Sequence, residues 1–162
     1  MQKRDGDKKD FGYVWEIVGS AVLILVLYSL LDLAFSITKY ISKVIPATIF
    51  GILLSIFAFG LIGYNTVRHK NENPQKAARY GAYAGIIVGL VSAIVGIITF
   101  YFFPEKLVDA IQKAVQAGAD ASTVKKVMQI GIWASLIISP AINAGIGALI
   151  SWISGLIFVK KK

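Results

Sequence analysis

Two carboxylates interrupt the first apolar stretch of the chain and are the residues best placed for proton chemistry. Glu16 and Asp32 stand sixteen positions apart and bracket fifteen uncharged residues, IVGSAVLILVLYSLL. An ionisable group in hydrocarbon is costly and marks function by default. As a helix, that separation is about 24 Å, which sets one acid near each face of a bilayer. There, pairing with loop bases is the simpler role, Glu16 with Lys or Arg of the tail or middle loop and Asp32 with Lys39 or Lys43. A second set of polar residues, Ser135, Ser139 and Asn143, flanks Pro140 inside the longest uncharged window. Proline removes a backbone donor and frees the carbonyl of Leu136, and a buried amide such as Asn143 needs partners. These three, with Glu16, are the candidate lining of a polar path. Close helix packing is the simpler account of the same stripe.

Other chemistry is excluded by what the chain lacks. His69 is the only histidine, Cys is absent, and no GxSxG, GxxxxGK[ST] or GxGxxG occurs. A His-based triad, an HExxH zinc site, a multi-His metal centre and a thiolate nucleophile are therefore out of reach. A Ser–Lys dyad would need a lysine at membrane depth, and every lysine falls in a loop or tail. The chain is expected to be no enzyme, with no catalytic, cofactor-binding or metal-binding residue.

The elements that carry these residues follow from the charge pattern. Of the 162 residues, 56% are hydrophobic and 16% charged, against about 25% charged in a soluble domain. Lys43 to Arg68 encloses 24 uncharged residues, Arg79 to Glu105 encloses 25, and Val127 to Val159 is a run of 33. About 20 suffice to cross a bilayer. The fold class is all-α, a polytopic membrane protein with four transmembrane helices at about 12–35, 44–67, 80–103 and 127–159. They form one domain over 11–162, and 1–10 reads as a disordered tail. Residues 1–35 also permit a signal peptide ending near Ala34-Phe35-Ser36. The last window is too long for one simple crossing, so its helix should start in the interface and kink near Pro140.

Four spans place the tail, the 68–79 loop and the C-terminus together, with eleven Lys and Arg against six on the other side. Both termini are thus expected to be cytoplasmic. Between spans three and four, Leu107, Val108, Ile111, Ala114 and Val115 share one face at helical spacing. An extracytoplasmic amphipathic helix over about 104–117 follows, led by Pro104, stopped by Gly118, with Ser122 or Thr123 capping the next turn. The net charge of +8 is the basic dressing of membrane loops, and no nucleic-acid partner is expected.

Helices gain little hydrophobic energy by meeting in lipid, so small residues that let backbones approach carry the packing signal. Gly81, Gly85 and Gly89 form two overlapping GxxxG motifs in span three. The last span has the unbroken row Gly131, Ser135, Ser139, Asn143, Gly147, Ser151, Gly155. Gly81, Gly85, Gly89, Gly131, Gly147 and Gly155 are the packing candidates. Abundant packing surface without catalytic chemistry points to an accessory or scaffold subunit of a larger membrane assembly, with other membrane subunits or further copies of the chain as partners besides the lipid bilayer. The alternative is a small transporter or channel using the polar stripe of span four.

Small multidrug transporters also have four spans and an acid in the first, but that acid lies well inside the span. Here Glu16 is near the edge and the third loop is long, so nothing is carried over. The basic loop followed by "YGAYAG", the proline-led "FPEKLVDAIQ" and the Gly/Ser-rich span ending "ISGLIFVKKK" resemble a family of small basic four-span bacterial membrane proteins, frequent in Bacteroidetes. The resemblance implies a multi-pass bundle in the bacterial inner membrane, without an assigned activity.

Overall fold

Apolar runs bounded by proline, asparagine and glycine become helices in the computed structural model, which describes residues 5–35, 46–103 and 108–159. In chain order they are α1 (Asp5–Phe35), α2 (Ala47–Tyr64), a π-helical turn (Asn65–His69), α3 (Pro74–Phe102), α4 (Val108–Gln116) and α5 (Ala121–Phe158). No strand occurs among the described residues. Four stretches are long and apolar enough to cross a membrane: Gly12–Ala34, Ile49–His69, Pro74–Phe102 and Ala121–Phe158. The protein is an all-α, multi-pass integral membrane protein.

Several boundaries differ from those the apolar windows suggest. The first helix begins at Asp5, inside the segment expected to be a disordered tail, because no proline stands ahead of the span to stop a helix from running on past its apolar part. The third begins at Pro74, six residues before Tyr80. Asn73 caps it, its Oδ1 accepting the Lys76 N–H at 2.9 Å, and Pro74 sits in the first turn, where its missing donor costs nothing. The last helix begins at Ala121 and is capped by Asp120 rather than by Ser122 or Thr123. The Asp120 carboxylate accepts from the Thr123 N–H at 2.9 Å and the Ser122 hydroxyl at 2.5 Å. Those bonds, the Ser122 one foremost, hold Asp120 below the ordinary carboxylate range. The helix continues through Pro140 as one element. Gly118, at φ +93°, takes the left-handed conformation that ends α4. Pro104 and Leu107 lie outside the described residues.

The bundle is closed at one end and open at the other. Its core joins Ile17, Val18, Ala21, Val22 and Leu25 of α1 to Ala58, Phe59 and Ile62 of α2 and Ala84 and Val88 of α3. The buried residues of α5 are Pro140, Gly147, Ser151, Ser154 and Gly155. Beyond Leu25 in α1, before Ala58 in α2, beyond Ala93 in α3 and before Pro140 in α5, no described residue is buried. At the closed end, Tyr64 meets Phe158 edge-on at 5.1 Å, and Tyr13 of α1 meets Tyr80 of α3 at 6.5 Å. The start of α1, the 70–73 loop and the end of α5 therefore share that end, as alternating antiparallel spans require. At the other end, α4 leaves Val108 and Val115 of its apolar face 43% and 42% exposed, as a helix lying on a bilayer surface would.

Candidate functional site

Glycine brings α3 and α5 into backbone contact. A Cβ added at Gly81 would overlap the Gly147 carbonyl, one at Gly85 the Asn143 carbonyl, and one at Gly89 would lie 2.5 Å from Pro140 Cα. Gly147 in turn faces the Gly81 carbonyl and the Phe59 ring, and a Cβ at Gly155 would meet Pro74 and Val67 at 3.3 Å. α2 joins from the side. Gly63 lies against Ser151 and Ser154 so closely that a methyl would not fit. The Ser151 hydroxyl donates to the Phe59 carbonyl at 2.9 Å and Ser154 to the Gly60 carbonyl at 2.8 Å. Such interhelical bonds are each worth about 0.6 kcal/mol in lipid.

The row of α5 does not stay on this seam. Four residues advance a helix by 400°, about 40° more than a turn. Counting back from Gly147, Asn143 and Ser139 are still half-buried, but four steps carry Gly131 about 160° away. Gly131 is accordingly exposed, a methyl added there would meet nothing within 4 Å, and it packs against no other helix among the described residues. Counting forward, the same drift turns Ser151 and Gly155 toward α2 and Pro74.

The four polar-path candidates are not brought together. Ser135 donates to the Ile132 carbonyl at 2.6 Å, and the Asn143 side-chain amide donates to the Ser139 carbonyl at 2.9 Å and hydroxyl at 3.3 Å. All of these bonds stay within α5. Asn143 thus reinforces the turn that contains Pro140, by bonding at Ser139 and not at Leu136. Glu16 lies at the closed end, its side chain 63% exposed, and pairs with Lys70 at 2.5 Å. Lys70 also sits over the Tyr13 ring, 5.1 Å from its centre. The Tyr13 hydroxyl donates to Glu72 at 3.2 Å, and Glu72 pairs with Lys76 at 2.8 Å. The Lys76 hydrogen bond, with the Tyr13 bond adding to it, holds Glu72 below the usual carboxylate range. This network ties the 70–73 loop to α1. Asn71 makes the turn possible by adopting φ +53°, which asparagine tolerates better than most residues.

No family model, curated protein or solved structure matches the chain. Among the described residues, no three of His, Cys, Asp and Glu come together as a metal site would need.

One surface of α5 is hidden in the sequence by its Gly/Ser row. Ile138, Ile142, Gly145, Leu149, Trp152 and Leu156 follow spacings of four and three, the 3.5-residue period that keeps one straight face. All six are exposed, Ile138, Ile142 and Leu149 by more than half. A methyl added at Gly145 would meet nothing within 4 Å. The stripe lies opposite Gly147, away from the seam.

Proposed function

We propose that the chain is a non-enzymatic accessory or scaffold subunit, which holds other membrane subunits or further copies of itself through α5. The observation that carries this is the exposed stripe from Ile138 to Leu156. Its period suits one partner helix along several turns, and Gly145 at its middle allows the close approach on which helix association in lipid depends. The inner seam of α5 is taken by α3 and α2, so the stripe is free for a second surface. Further support is that the polar side chains of α5 near the seam bond to backbone within the bundle. The transporter alternative has less behind it, because the side chains of Ser135 and Asn143 bond within α5 and Glu16 is exposed and paired with Lys70.

Gentle extraction from the native membrane followed by mass determination of the intact particle tests the reading. A defined partner or a defined homo-oligomer is expected, and joint replacement of Ile142 and Leu149 by alanine should release the chain from it. A lone chain in both cases contradicts the proposal.

A further inference from the structure

The open side of the α2–α5 pair offers a second site, of a different kind from the stripe. Three depressions adjoin there. One of about 410 Å³ is lined by Gly51, Ser55, Ile56, Asn143 and Ile150 among others. The next, about 360 Å³, shares Ile56 and Ile150 and adds Gly60 and Ser154. The third, about 380 Å³, shares Gly60 and Ser154 and ends at Tyr64 and Phe158. Through these shared residues they form one groove. From Gly51 to Tyr64 it follows thirteen residues of helix, about 20 Å, a little more than the roughly 15 Å that one leaflet contributes to the hydrocarbon core.

The lining is chemically quiet. Ser55 donates to the Gly51 carbonyl, Ser154 to the Gly60 carbonyl and Asn143 to Ser139, so the serine and asparagine donors of the groove are already used within the protein. Among the described residues its charge lies at one end. Beyond Tyr64 the helix runs on into the π-helical turn, where the His69 ring rests edge-on against Tyr64 at 5.4 Å. Arg68 and His69 are both exposed. Lys70 and Lys76 are held by Glu16 and Glu72, whereas Arg68 has no carboxylate partner among the described residues. Phe158, on the opposite wall, is followed in sequence by Lys160, Lys161 and Lys162.

An apolar channel of leaflet length with an unpaired cation at its mouth fits one class of ligand. We propose that the α2–α5 groove holds one acyl chain of an anionic phospholipid whose headgroup sits at Arg68 and His69. The apolar surface retains the chain, and the Arg68 cation, with the His69 ring beside it as a hydrogen-bonding group, selects the headgroup. A second copy of the protein fits less well, because the groove is concave and its charge is gathered at a single end.

The test uses the full chain in mild detergent, offered phosphatidylglycerol and phosphatidylcholine with identical acyl chains, with bound lipid counted on the intact particle by native mass spectrometry. One retained phosphatidylglycerol is expected, preferred roughly fivefold, as one surface cation allows. Arg68→Gln combined with His69→Gln should bring the two lipids near parity. Gly60→Leu and Gly51→Leu should each remove the retained lipid without unfolding the protein. A Cβ at Gly60 meets only Ser154 Oγ at 3.9 Å, and one at Gly51 meets nothing within 4 Å, so both leucines have the groove to fill. Equal retention of the two lipids by the unaltered protein, or unchanged retention in both leucine variants, overturns the proposal. So does a dimer that dissociates in Gly60→Leu, which would give the groove to a second copy.

Discussion

Gly85 and Gly96 are two glycines of the same helix in opposite situations. At Gly85 the Asn143 backbone occupies the space of a side chain, and at Gly96 that space is empty for 4 Å. Backbone cannot turn aside as a flexible side chain can, so Gly85→Leu must separate α3 from α5. The expected cost is about 3 kcal/mol, at the upper end for overpacking. Gly96→Leu should stay within about 0.5 kcal/mol, as surface substitutions do. Thermal unfolding of the two variants in the same detergent checks this, and equal losses would contradict the contact. The small residues stand out in the sequence by spacing alone. Which of them meets a neighbour does not, because a four-residue period drifts around the helix and Gly131 ends on the far side from Gly147. Gly63, pressed against Ser151, belongs to the same seam but stands in a weaker row interrupted by Phe59.

Elements are held in register by a short loop and its ion pairs. Glu72 accepts from Tyr13 of α1 and pairs with Lys76 of α3, so one carboxylate links two spans. Its folded-state pKa lies below the ordinary value. The contribution is therefore complete above the ordinary carboxylate range and is lost as the pH falls through the depressed value. Glu72→Gln should cost about 0.5 kcal/mol near neutral pH, as partly exposed ion pairs do. Melting temperatures of the two proteins should converge as the pH is lowered through the carboxylate range. A gap that persists unchanged in acid would show that the pair does not act as described. The spans themselves are legible from charge-free windows, since hydrocarbon tolerates little else. Their ends are less so. Asn73-Pro74 reads as a turn until one sees that asparagine followed by proline is also a cap followed by a first helical turn. The pairing of Glu16 with a middle-loop base is within reach of the sequence, but Lys70 as that base depends on how the π-helical turn and Asn71 bend the chain.

At the scale of the molecule, four antiparallel spans converge at the end that carries the 70–73 loop and spread apart at the other. Convergence follows the glycines and serines, which let α2, α3 and α5 approach. In the opposite halves a Cβ at Gly96 or Gly131 would meet nothing within 4 Å, so no such seam forms there. The exposed stripe of α5 is hard to see in the sequence because isoleucine and leucine in a span look alike whether they meet lipid or a partner, and the 3.5-residue period is hidden beneath the four-residue row. Everything proposed for the stripe and the groove rests on the spans alternating across the bilayer, so topology is the most direct test. The chain has no cysteine, and Gln75 and Gln112 are both exposed, one beside the closed-end loop and one on α4. With single cysteines at Gln75 or Gln112, intact cells treated with a membrane-impermeant thiol reagent should label only one of the two, Gln112→Cys under the expected orientation, and opened membranes should label both. Equal labelling of the two variants in intact cells would place both positions on one side and contradict the four-span bundle.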